Sequence, residues 1–78
     1  MATVAQMRAA RALLGWSQTG LAEAAGISRA TIARAELSAD TSADAVAAIQ
    51  RALEKAGVIF QDENGEGPGV RLKKGKKR

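Results

Sequence analysis

Apolar positions recur with a helical period over the first three quarters of this 78-residue chain and with a strand period only near its end. Val4, Met7, Ala10 or Arg11, and Leu14 fall on one face of a helix spanning residues 3–14, with Thr3 placed to cap it and Gly15 to end it. Leu21, Ala22 and Ala25 make the inner face of a second helix over Gln18–Ala25, leaving Gln18, Thr19 and Glu23 more exposed. Ile32 and Ala35 do the same for a third helix over Arg29–Glu36. After the connection LSADTS, a capping box formed by Thr41 and Asp44 predicts a fourth helix beginning near Ser42. Its stripe of Val46, Ile49, Leu53 and Ala56 runs as far as Gly57. Val58-Ile59-Phe60-Gln61 and Val70-Arg71-Leu72 then read as two short strands, joined through the turn signals Asn64-Gly65 and Gly67-Pro68-Gly69.

The second and third helices carry the same entry signal. Ser17 follows Trp16 and precedes Leu21, and Ser28 follows Ile27 and precedes Ile32, so each serine cap is flanked by the pair that makes a hydrophobic staple. Gly26 lies between the two units, where the chain must turn with a positive φ, and Ala22 is small enough for the two helices to cross closely. Two capped helices in register around such a corner form a helix-turn-helix. Gln directly after the first cap, Leu-Ala on the inner face, Gly-Ile-Ser at the corner, and Ile32 and Glu36 five and nine residues after Ile27 resemble the Cro/repressor-type (XRE) helix-turn-helix regulators. The resemblance spans residues 3–56 and is densest over 11–36.

That resemblance implies a mainly α, four-helix domain over residues 1–57, and the two short strands read from the residues add a two-strand β element over 58–72. It implies that Arg11 pairs with Glu36 in a structural role, and that Gln18 bonds a DNA phosphate from a helix N-terminus. The family usually has a larger residue where this chain has Gly20, which costs helix 2 about 1 kcal/mol relative to alanine. It often has glycine and proline in the connection after helix 3. This chain has neither, so the connection is expected to be shorter or more helical. On helix 3 the outer face consists of Ser28, Arg29, Ala30, Thr31 and Arg34, with Thr19 nearby on helix 2. Arg29 and Arg34 suit paired hydrogen bonds to guanine, Ala30 a thymine methyl, and Thr31 a base or a phosphate. The plainer reading leaves both arginines on phosphates.

Composition changes the picture in three places. The chain has no cysteine and only two aromatic residues, so its small, alanine-rich core has no disulfide or thiolate metal site to support it. Self-association as a homodimer is one remedy. The apolar residues Val58, Ile59, Phe60, Val70 and Leu72 are the candidates to build it, since an isolated hairpin is marginal in water. The other remedy is for the hairpin to pack on its own helices. Charge is the second place: residues 1–57 carry six basic and five acidic side chains, residues 58–78 six and three. DNA contact by the helices must therefore come from placement, whereas the tail KKGKKR, expected to be disordered when free, either follows phosphates or merely aids solubility.

Third, the chain lacks histidine, cysteine and tyrosine and has no phosphate-cradling glycine loop opening a helix, which argues against an enzyme; no cofactor or metal is implied. No stretch is long enough to span a bilayer and no export signal is visible, so a cytoplasmic location is expected. The chain has no room for a separate sensor domain, so autoregulation by its own concentration is favoured over a small-molecule signal. The expected function is a sequence-specific transcription regulator, most simply a repressor, that binds duplex DNA as a homodimer on an inverted repeat. The alternative is a protein-interaction module, an antitoxin or antiactivator with a protein partner and little DNA binding of its own.

Overall fold

The computed structural model describes residues 2–61, 65 and 67–73. Helices α1 (Val4–Leu14), α2 (Gln18–Ala25), α3 (Arg29–Ala35) and α4 (Ala43–Lys55) precede strands β1 (Val58–Gln61) and β2 (Gly69–Leu72). Asn64 of the first turn signal and the tail residues 74–78 lie outside the described residues.

Each helix opens on a hydroxyl cap. Thr3, Ser17, Ser28 and Ser42 accept from the backbone N–H groups of Gln6, Gly20, Thr31 and Ala45, respectively. The Thr41–Asp44 box expected for α4 does not form. Ser42, one residue later, takes the cap, and Thr41 turns its hydroxyl back to donate to the Ser38 carbonyl at 3.4 Å. At the far ends of α1 and α2, Gly15 and Gly26 sit at φ 69° and 72°, the left-handed region that lets the chain leave each helix sharply. Helix α3 has no such glycine. The N–H groups of Leu37 and Ser38 both bond the Arg34 carbonyl, so the chain leaves α3 through a hydrogen-bonded turn, and residues 36–42 contain no further helix.

Met7, Leu21, Ile32, Ile49 and Leu53 are enclosed, at least one from every helix. Ala10, Ala22, Ala35 and Ala52 fill the space between them, and their small side chains permit close crossings. Gly20 is accommodated without strain: its N–H reaches the Ser17 hydroxyl at 3.0 Å, and an added Cβ would meet that same oxygen at 3.4 Å.

The strands pair antiparallel within the chain, with Val58 opposite Leu72, Ile59 opposite Arg71, Phe60 opposite Val70 and Gln61 opposite Gly69. The hairpin packs on α1 and α4. Val58 is buried in the core, and Phe60, Val70 and Leu72 pack against it. This corrects the expectation for Val58, which the chain's own core encloses and which is not a free interface residue. Strand alternation leaves Ile59 on the opposite face, half-buried.

The hairpin is fastened by a residue that the apolar pattern does not reveal. Gln6 is 7% exposed, and its amide Nε2 donates to the carbonyls of Gln61 at 3.1 Å and Gly69 at 2.9 Å. Its Oε1 meanwhile accepts from the Thr3 N–H at 2.9 Å, completing a capping box. At the other end of the hairpin, the Lys73 N–H donates to the Gly57 carbonyl. Replacing Gln6 with Glu keeps the capping acceptor but turns a carboxylate oxygen towards two carbonyl oxygens. The loss of a buried donor costs about 1–3 kcal/mol, which exceeds the roughly 0.5 kcal/mol that a carboxylate gains in a first helical turn. Urea denaturation of Gln6→Glu should therefore show a lower midpoint than the unsubstituted chain; an unchanged midpoint would mean that this link is unimportant.

Candidate nucleic-acid interface

The corner between α2 and α3 is set by two N–H groups, those of Gly26 and Ile27, converging on the Ala22 carbonyl at 2.9 and 3.1 Å. From this corner α3 starts under a double tie to Ser28. The serine hydroxyl accepts from the Thr31 N–H at 3.1 Å and lies 2.8 Å from the Thr31 hydroxyl. The side chains of Ser28 and Thr31 thus partner each other at the helix start.

Around α3, successive residues are separated by about 100°. Ile32 and Ala35 are buried, whereas Arg29, Ala30 and Arg34 are exposed and Ala33 is half-buried. Arg29 and Arg34 are five residues apart and so lie about 140° from each other around the axis, with Ala30 and Ala33 between them. The outward arc is therefore a low floor of two alanines bordered by two guanidiniums. Such a floor lets the helix backbone come close to a flat surface while the long side chains reach past it. Ala33 was not among the expected site residues, although the helical period alone would have placed it there.

The inner side of α3 is held by a polar cluster. Arg11 on α1 forks onto Glu36, with Nε to Oε2 at 2.7 Å and Nη2 to Oε1 at 3.1 Å, and its Nη1 donates to the Trp16 carbonyl at 2.9 Å. Glu36 is 3% exposed and accepts a third hydrogen bond from Gln18 Nε2 at 3.1 Å. One carboxylate thereby joins α1, the start of α2 and the end of α3. The pairing of Arg11 with Glu36 implied by the resemblance is present, in bidentate form.

Gln18 is half-buried, more enclosed than the apolar pattern suggested, and one of its amide hydrogens is committed to Glu36. Its Oε1 accepts from Arg29 Nη1 at 3.4 Å. Among the described residues the Arg34 side chain makes no hydrogen bond or ion pair. Thr19 is exposed at the first turn of α2. The structure therefore brings Gln18 and Arg29 together and leaves Thr19, Ala30 and Arg34 open to solvent.

Residues 7–57, more than half of the chain, match the helix-turn-helix family. The chain belongs to the Cro/repressor-type (XRE) helix-turn-helix family. This family consists of DNA-binding regulators, and the four helices and the antiparallel hairpin are a mainly α form of its domain. A search of curated proteins returns no match. No helix among the described residues is long and apolar enough to cross a membrane.

A buried ion pair is costly to break from one side, because the remaining charge loses its partner without regaining water. Arg11→Met should destabilise the chain by about 3 kcal/mol or more in urea denaturation. Arg11→Met combined with Glu36→Leu should cost less than Arg11→Met alone. A double variant as unstable as the sum of the two single ones would show that the pair acts through packing alone.

Proposed function

We propose that the chain is a sequence-specific regulator that binds duplex DNA as a homodimer, with α3 of each subunit in successive major grooves of an inverted repeat. The observation that carries this reading is the outward arc of α3. Arg29 and Arg34 project from a low alanine floor, while Ile32, Ala35 and Glu36 hold the helix from behind. A guanidinium can donate two parallel hydrogen bonds to guanine O6 and N7, and an alanine methyl can meet a thymine methyl. Thr19, Ser28 and Thr31 lie where the ends of α2 and α3 approach the backbone, and Gln18 lies beside Arg29. Two such helices related by a two-fold axis would sit about 34–36 Å apart.

The homodimer draws on the outer surface of the hairpin. Ile59 lies on the side away from the core, and Phe60, Val70 and Leu72, which face the core, are half-buried and keep part of their surface for a second copy. The edges of a two-stranded sheet also carry unpaired backbone groups that a second copy can satisfy. Because only the dimer would hold both half-sites, occupancy depends steeply on the chain's own concentration, which suits autoregulation. A dimer bound across a promoter would repress by occlusion. The basic tail adds salt-dependent affinity without sequence preference.

Selection of bound sequences from a random duplex pool, carried out with the full chain and with Arg29→Ala and Arg34→Ala, tests this reading. The unsubstituted chain should select an inverted repeat. Each substitution should cost about 1–3 kcal/mol and relax the preference at one base position per half-site. Uniform weakening across all sequences would move both arginines onto phosphates, and selection of a single half-site would remove the homodimer. No selected sequence at all would favour a protein-binding module.

A further inference from the structure

An apolar pocket lies between the start of α1, the start of α4 and the connection that follows α3. Val4 and Met7, Ala43 and Val46, and Ala39 form its walls, and its volume is about 410 Å³. Small-molecule sites span roughly 300–1,000 Å³. No charged side chain lines it, so an ion seated there would leave water without gaining a counter-charge. Its polar side chains are three hydroxyls, those of Thr3, Ser38 and Thr41, and their bonding decides what a ligand must bring. Thr41 donates its hydrogen to the Ser38 carbonyl. Thr3 and Ser38 instead accept, from the N–H groups of Gln6 and Asp40, and their own hydroxyl hydrogens have no partner among the described residues. The pocket therefore offers two donors beside apolar walls, which a neutral molecule with a carbonyl or ether oxygen matches.

We infer that this pocket is a binding site for a neutral, mainly apolar small molecule carrying a hydrogen-bond acceptor, and that its occupancy is transmitted to the end of α3. The route is short. The N–H groups of Leu37 and Ser38 both bond the Arg34 carbonyl at 3.1 Å, so the wall formed by the connection is fastened to the last turn of the helix. On the opposite wall, Met7 lies one turn before Arg11, which grips Glu36. The ligand thus touches both supports of α3. Leu37, 81% exposed beside this wall, makes the leucine of a second copy the competing occupant. A leucine side chain has no atom to accept from the two hydroxyls, whereas a carbonyl oxygen does. The site stands whether or not α3 reads bases, and so goes beyond the regulator reading.

The test is a titration of the isotopically labelled full chain, free of DNA, with heptan-2-one and with hexanoate, a charged molecule of equal size. Heptan-2-one should shift the amides of Val4, Ser38, Ala39 and Val46 saturably, with a Kd of about 1–10 mM, the scale for so small a ligand. The amides of Arg34 and Glu36 should follow with the same Kd. Hexanoate should bind about tenfold more weakly or not at all. Ala39→Leu and Ala43→Leu, both at exposed positions and checked by thermal unfolding, should weaken heptan-2-one about tenfold by filling the pocket. Shifts scattered over the surface, equal affinity for hexanoate, or unchanged binding in both filled variants would overturn the site. Pocket shifts without any at Arg34 and Glu36 would overturn the link to α3. If the pocket amides instead shift with the chain's own concentration, and Leu37→Ser abolishes this, the occupant is a second copy and the proposal fails. A chain that binds heptan-2-one as stated but selects no DNA sequence loses the regulator reading and keeps this site.

Discussion

One carboxylate decides how this small domain holds α3. Glu36 terminates α3 and accepts from Arg11 on α1 and Gln18 on α2. Without it, α3 would be fastened mainly by Ile32 and Ala35, since its seven residues make barely two turns. A helix that short has little intrinsic stability, and its orientation must come from tertiary contacts. Apolar packing against alanines is weakly directional. The bidentate fork is directional, because two parallel hydrogen bonds fix both distance and angle. Desolvation offsets much of the attraction, so the fork contributes less to net stability than to geometry.

The same division between apolar bulk and polar direction appears at the other end of the molecule. The hairpin places Val58 in the core, but apolar burial alone would allow it to slide along α1 and α4. Gln6 removes that freedom by reaching two carbonyls that face each other across the strands. Its buried amide has partners for both hydrogens and for its oxygen, so its burial leaves no unmet hydrogen bond. Beside a small apolar core, two polar devices therefore set the relative placement of helices and hairpin.

Local features were legible in the sequence because their causes are local. Thr3, Ser17 and Ser28 cap where their neighbours indicate, and Gly15 and Gly26 end helices where the apolar stripe stops. The cap of α4 was misplaced by one residue because Thr41 and Ser42 are both competent and only the backbone path chooses between them. Gln6 was illegible for a different reason. Its partners lie 55 and 63 residues away, and nothing nearby marks it as buried. On α3, exposure of Arg29 and Arg34 follows from helical period, whereas the Arg11–Glu36 pair is available only through the family resemblance. The orientation of the Gln18 amide required the neighbouring carboxylate to be in view, as did its half-burial. For Val58 the sequence leaves interface and core alike, because a short β-prone run looks the same whether it covers its own core or a partner's.

The most direct measurement is a titration of the isotopically labelled full chain with duplex DNA, followed by backbone amide shifts residue by residue. A DNA-facing α3 predicts changes concentrated at Arg29, Ala30, Ala33 and Arg34, extending to Gln18 and Thr19 at the start of α2, with Gln6 and the strand residues little affected. Changes centred on Ile59 and Arg71 or on the outer side of α1 around Arg8, with α3 unmoved, would contradict it.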